Sequence, residues 1–317
     1  MSENHLILGG RGFIGRHVAV LLARAGHKVV IADRRPPDFA FPEDVAANIS
    51  WQSLEFASAD WDTLMADVSV VHHYAWTSIP ASANQNPSGD LTSNVAATLA
   101  LLEALRRRGG GRIVFPSSGG TVYGTLKHVP ASEDHPLMPI TAYGAGKAAT
   151  EIYLGFYRAT HGLDCRVARI ANPYGAGQNF LRGQGAATTF LHNALTNKPI
   201  VIWGDGEVVR DYIHISDVAA AMVRIASIPQ PEKFYTFNVG SGSGVSLNGI
   251  IAELERQLNQ RLEVKRMASR PFDVPFNVLD ISRIRETIGW VPKLTLSEGI
   301  SRTIIDLEAD SPLSRLD

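Results

Sequence analysis

His5-Leu6-Ile7-Leu8-Gly9-Gly10-Arg11-Gly12-Phe13-Ile14-Gly15 is the stretch whose reading decides the fold. His5-Leu6-Ile7-Leu8 suits a short buried strand. Glycines follow at once. Residues 16–25 then carry Val18, Leu21, Leu22 and Ala25 on one helical face. Gly26 stands where a helix C-terminus wants a left-handed residue. Lys28-Val29-Val30-Ile31-Ala32 is the next strand, closed by Asp33. The glycines therefore lie between a strand and a helix, where a dinucleotide-binding turn lies. Glycine permits the tight turn and a close approach of backbone N–H groups to a pyrophosphate. The helix N-terminus adds a partial positive charge. Asp33 falls where an acid would grip an adenosine ribose.

Outward from this unit the chain keeps alternating. Residues 69–75 and 112–115 read as strands, 94–108 and 143–161 as helices, and 164–170 as a further strand. Such alternation predicts an α/β fold, a doubly wound parallel sheet of the Rossmann type. After residue 172 the pattern loosens. Loops rich in Gly, Pro and Asn separate helices expected near 186–197, 216–227, 246–259 and 296–308. The expected division is a dinucleotide-binding domain over 1–171, to which 208–240 cross back, and a smaller α/β domain over 172–317.

Composition excludes several classes. The 317 residues have a formal net charge of −1, which leaves no electrostatic footprint for nucleic acid or an anionic membrane. Hydrophobic residues make up 45%, enough for a substantial core. No stretch approaches the roughly 18 apolar residues of a membrane span. The N-terminus runs directly into a strand, so a cytoplasmic protein is expected. One cysteine, Cys165, allows no intrachain disulfide and reads as inert packing. The histidines show no zinc spacing, so no metal is expected.

Tyr143 and Lys147 stand four apart in Tyr143-Gly144-Ala145-Gly146-Lys147. On a helix they share a face. A free phenol has a pKa of about 10, and a fixed cation beside it favours the phenolate. The pair thus predicts a base usable near neutral pH. Gly144 and Gly146 beside it predict a close approach of ligand to backbone.

The spacing Gly9, Gly12, Gly15 departs from G-x-G-x-x-G. With Tyr143 and Lys147 it resembles the short-chain dehydrogenase/reductase superfamily. Within its extended branch the chain resembles the UDP-galactose 4-epimerase family from about residue 5 to about residue 300. The resemblance implies NAD as cofactor, since Asp33 repels a 2′-phosphate; Arg34 and Arg35 leave NADP as the alternative. It implies cofactor contacts at Gly9, Gly12, Phe13, Ile14, Gly15, Asp33, Arg34, Asp60, Trp61, Tyr74, Ala75 and Lys147. It also implies a catalytic set of Tyr143, Lys147 and a hydroxyl. Counting from the strand gives Ser118 for that hydroxyl, with Thr121 as the fallback. By the same resemblance a UDP-sugar substrate is expected to meet Ser118, Thr121 and Tyr143. Asn172 and Arg210, in Arg210-Asp211-Tyr212-Ile213-His214, would reach its diphosphate together with Arg270. Asp273 would contact a ribose, Trp203 would flank the uracil, and Asn277 would stand at a sugar gate with room for an N-acetyl group. Arg182 could meet a sugar carboxylate. Asp217 reads as structural, capping a helix.

The implied activity is 4-epimerisation through a transient 4-keto sugar. A UDP-glucuronate 4-epimerase or decarboxylase remains an alternative. A 4,6-dehydratase is disfavoured, because Gly119 and Gly120 stand where that family places its acid and base. A homodimer is expected, pairing helices 94–108 and 143–161 with those of a second copy.

Overall fold

The computed structural model describes residues 2–179, 185–230, 233, 235–269 and 274–308. Strand β1 (Asn4–Leu8) leads through α1 (Phe13–Arg24) to β2 (Lys28–Asp33), α2 (Glu43–Ala46) and β3 (Ile49–Ser53). A short α3 (Trp61–Leu64) precedes β4 (Val70–His73). Two short helices, α4 (Pro80–Gln85) and α5 (Pro87–Asp90), lead into a π-helical turn over Leu91–Ala96 and then α6 (Ala97–Arg107). Strand β5 (Arg112–Ser118), the long α7 (Ala142–His161) and β6 (Asp164–Ile170) complete this half. The remainder holds β7 (Asn172–Tyr174), α8 (Ala186–Leu195), β8 (Ile200–Trp203), β9 (Val209–His214), α9 (Ile215–Ser227) and β10 (Thr236–Val239). It continues with β11 (Gly244–Ser246), α10 (Leu247–Leu258), β12 (Val264–Met267), β13 (Phe276–Asn277), α11 (Ser282–Ile288) and α12 (Leu296–Glu308).

The large sheet has the order β10-β6-β5-β4-β1-β2-β3, parallel throughout. This is a Rossmann arrangement whose strand order reverses between β1 and β4, the place where such sheets take ligands. Alternation along the strands explains the two layers. Ile7, Ile31 and Val114 face one core with Val18 and Leu22 of α1 and Val218 and Met222 of α9. Leu6, Leu8, Ile113 and Phe115 face the other, with Leu101 and Leu105 of α6 and Leu154 of α7.

The structure departs from expectation at two places. The helix expected over 94–108 begins as a π turn, within which Asn94 Oδ1 accepts the Thr77 N–H at 2.9 Å and its Nδ2 donates to Asp90 at 2.9 Å. In the later half, α9 packs on the large sheet and β10 joins it, whereas β9 pairs with β7, β11 and β13 in a separate one.

Beneath the carboxyl edge lies a buried ion pair. Arg169 of β6 donates to Glu151 of α7 at 2.7 Å, to the Glu133 carbonyl at 2.9 Å and to the Tyr123 hydroxyl at 3.0 Å. Ser117 of β5 donates to the same carboxylate. Burial works against the Arg169 charge, and Glu151 more than restores it. Removing one partner of such a pair strands the other charge, at a cost of about 3–5 kcal/mol. Arg169→Met is expected to lose about that much in denaturant unfolding; a change below about 1 kcal/mol would show that Glu151 finds other partners.

Candidate active site

The glycine turn is built by packing. Gly9 has φ +78°, and a Cβ there would lie 2.7 Å from the Ala75 nitrogen. A Cβ on Gly15 would lie 2.7 Å from the Gly9 carbonyl and 2.8 Å from the Gly10 Cα. So the turn is pressed between β4's end and α1, and only glycine fits. Gly12 is the N-cap of α1; no side chain caps that end, and its first turn holds no acid. The N–H groups of Phe13, Ile14 and Gly15 thus form an open anion cradle at the switch point. Asp33 ends β2 beside it, its carboxylate accepting the Arg34 N–H at 2.8 Å. This donor set fits NAD: a diphosphate on the helix end and a ribose on the carboxylate.

Other expected cofactor residues have protein partners. Asp60 caps α3, accepting from the Thr63 hydroxyl at 2.8 Å, which holds its carboxyl below the usual range. Trp61 is buried against Phe56. The Tyr74 hydroxyl sits 3.2 Å from His72 Nδ1, while the Tyr74 backbone and Ala75 face Gly9.

On α7, which Thr141 caps, Tyr143 and Lys147 do share a face. The Lys147 amine is buried, donates to the Pro116 carbonyl at 2.9 Å, and lies 3.9 Å from the Trp76 ring centre, 4.6 Å from that of Phe115 and 5.7 Å from that of Tyr143. Burial pulls its pKa down to about 7, opposed by Glu151 and then Asp90. Tyr143 corrects an expectation. By surface area it is only partly buried, yet enough atoms crowd it that burial, then Asp90, push it up to about 12. Bringing such a phenol to neutrality asks the occupied site for on the order of 7 kcal/mol. The spacing shows which groups are neighbours; it does not show how dry they are.

Gly144 and Gly146 also serve a different purpose from the one expected. A Cβ on Gly144 would lie 2.8 Å from the Thr121 carbonyl, and one on Gly146 would lie 3.1 Å from Asp90 Oδ2 and 3.3 Å from the Trp76 ring. They admit protein, not ligand. Trp76 and Asp90 are site residues that motif spacing does not reveal. Nothing local marks them, and only the packing against Gly146 brings them to the pair.

Ser118 ends β5, and its hydroxyl has no hydrogen-bond partner among the described residues. The Thr121 hydroxyl turns back on the Ser118 carbonyl at 3.5 Å. Asn172 follows β6 and donates to the Asp211 carbonyl at 3.0 Å. Arg210 donates to the Val274 carbonyl at 2.6 Å and lies in register with Asn277. Asn277 is not an open gate: it is buried, its Nδ2 donates to the Gly119 carbonyl at 3.1 Å, and its Oδ1 has no partner among the described residues. It braces the loop that carries Ser118. Trp203 ends β8, 38% exposed. Arg182, Arg270 and Asp273 lie outside the described residues. Asp217 caps no helix; it accepts the Lys293 and Leu294 N–H groups at 2.9 and 3.1 Å, and His214 caps α9. Burial pushes the Cys165 thiol up to about 12, in keeping with inert packing.

Comparison with known proteins agrees with this geometry. Residues 5–240 match the model of the NAD dependent epimerase/dehydratase family. The chain belongs to this family. It is 34% identical to a UDP-glucose 4-epimerase of Mycolicibacterium smegmatis over 94% of this chain and 96% of that one. Its fold superposes with a TM-score of 0.89 on the UDP-glucose 4-epimerase of Thermotoga maritima solved with UDP-glucose, at 30% identity, covering 97% of this chain and 99% of that one. The Thermus thermophilus UDP-glucose 4-epimerase solved with NAD gives 0.86 at 28% identity, covering 96% and 99%.

Gly9→Ala in this family member is expected to cost about 1–3 kcal/mol of stability and to lower the NAD content of purified protein. Full NAD content at unchanged stability would contradict the cradle.

Proposed function

We propose that the protein is a UDP-sugar 4-epimerase that works through a transient 4-keto sugar. The observation that carries this is the carboxyl edge at the switch point. Ser118 ends its strand at that edge and Tyr143 shares a helix face with the buried Lys147 amine, both hydroxyls without a hydrogen-bond partner among the described residues, and the uncapped glycine cradle opens on the same edge. Bound NAD supplies a hydride acceptor that becomes the donor on the return step.

The chain's own residues handle the proton and the geometry. Tyr143 takes the proton of the sugar 4-hydroxyl and later returns it. Ser118 donates a hydrogen bond to the same sugar oxygen. Charged Lys147 lies on the tyrosine's helix face and stabilises the phenolate. For the sugar to present both faces in turn, its binding energy has to come from the nucleotide diphosphate. Arg210 and Asn172, with Arg270 and Asp273, supply that anchor in this reading, and Trp203 flanks the base. Asn277 acts on the sugar through the Gly119 loop that it braces.

Among the described residues no helix is long and apolar enough to cross a membrane. A second copy is proposed to cover α7, where Ile152, Tyr153 and Phe156 are 67%, 41% and 48% exposed. Light scattering at micromolar concentration should give a dimer mass, and Ile152→Asp with Phe156→Asp a monomer; a monomeric parent protein rejects this face.

The function is tested by turnover of UDP-glucose, UDP-N-acetylglucosamine and UDP-glucuronate without added NAD. Turnover of at least one is expected, and turnover of none removes the reading. Tyr143→Phe should lower kcat by roughly 10²–10⁴-fold and leave UDP-sugar affinity within a few-fold. A variant with full activity would take the proton transfer away from Tyr143.

A further inference from the structure

Behind the Tyr143–Lys147 pair sits a carboxylate that the reaction as described does not use. Asp90, at the end of α5, is 5% exposed. Its Oδ1 accepts from the Ser78 hydroxyl and, at 2.9 Å, from the Asn94 amide. Its Oδ2 points onto α7 at Gly146, the residue next to Lys147 and three beyond Tyr143, with the Trp76 ring against the same glycine. The π turn after α5 is what seats it: Asn94, within that turn, ties Asp90 to the Thr77 N–H.

The other charged and titratable groups around Lys147 have partners or are neutral. Glu151, one turn further along α7, supports the Lys147 charge more strongly than Asp90 does and is itself paired with Arg169 through contacts at 2.7 and 2.9 Å. His73 on β4 bonds to Thr98 at 2.8 Å and is neutral, since burial and then Lys147 hold its pKa near 3. Tyr143 is uncharged at rest. Asp90 differs from Glu151 in that both its hydrogen-bond donors, Ser78 and Asn94, are neutral and leave its charge uncompensated. A charged amine at 3.9 Å from an indole ring centre is itself favoured over the neutral amine.

We propose that Asp90 and Trp76 are positioning residues that keep the Lys147 amine charged and held beside Tyr143. Asp90 does so by charge and Trp76 by its ring face. For its kinetic consequence this rests on the epimerase reading; for its charge consequence it does not. The sign is the same for both partners. A negative charge raises the pKa of an amine and of a phenol alike. Removing Asp90's charge lowers both. The acidic limb of a kcat–pH profile, where Tyr143 loses its proton, and the alkaline limb, where Lys147 loses its own, then both move to lower pH. Loss of indole acts first on the cation, 3.9 Å from its ring centre, and less on Tyr143, whose ring centre is 6.1 Å away.

The test uses the full chain as purified. Lysine side-chain NMR follows the Lys147 titration, assigned by its disappearance in Lys147→Met, and kcat is measured against pH. Asp90→Asn should lower the Lys147 midpoint by about one pH unit and shift both limbs acidward. Trp76→Phe, which keeps an aromatic ring but a weaker cation site, should lower the midpoint by less and move the alkaline limb more than the acidic one. Should Asp90→Asn fail to fold, Trp76→Phe still decides for the indole, and Asp90→Ser for the carboxylate. A folded variant with an unmoved or raised midpoint overturns the proposal for that residue. A lower kcat with no shift of either limb shows a merely structural role and also overturns it. A shifted Lys147 midpoint in a protein that turns over no UDP-sugar leaves this inference standing and removes the epimerase reading.

Discussion

A lysine amine held in a dry pocket is the constraint on which the rest depends. Lys147 is buried, touches the Pro116 carbonyl at 2.9 Å and is boxed by the Trp76 and Phe115 rings. Desolvation works against its charge. The chain answers from four directions: α7 offers the Glu151 carboxylate, α5 that of Asp90, β5 a carbonyl, and the segment after β4 an indole. Each element has to be placed well for the others to matter. The Arg169–Glu151 pair fastens β6 to α7 directly beneath, so the helix that carries Tyr143 and Lys147 cannot slide along the sheet without breaking a buried ion pair.

The parallel sheet turns this local device into a site. Its strand order reverses between β1 and β4, so the glycine cradle, Tyr74–Ala75 and the Ser118 strand end all open on one edge. A phenol resting near 12 beside an amine near 7 is a poor base. The resting pair is thus set for an occupied site: bound NAD would add positive charge, which favours a phenolate as the Asp90 carboxylate disfavours it.

Much of this was legible in the sequence where the physics is local. The β1–α1–β2 unit could be read because strand, glycines, helix and acid succeed one another within 33 residues. Tyr143 and Lys147 could be paired because helical spacing fixes their common face. The unread part depends on contacts between distant segments. Asn277 reaches Gly119 across 158 positions, and Asp90 meets Gly146 from a different helix. The apolar pattern of 94–108 shows neither the π turn over Leu91–Ala96 nor the bonds that Asn94 makes to Thr77 and Asp90. Gly144 and Gly146 are legible as close-approach positions, but spacing alone does not tell a ligand from a neighbouring helix.

In the proposed epimerisation the C4 hydrogen would leave the sugar and return to it within one turnover on a single bound NAD, while Tyr143 and Lys147 handle the proton. UDP-glucose carrying deuterium at C4, incubated with the protein and no added NAD, tests it most directly. A C4 epimer that retains its deuterium, with no NADH released, is expected. An epimer that has exchanged deuterium for solvent hydrogen, or NADH accumulating in step with product, would contradict it.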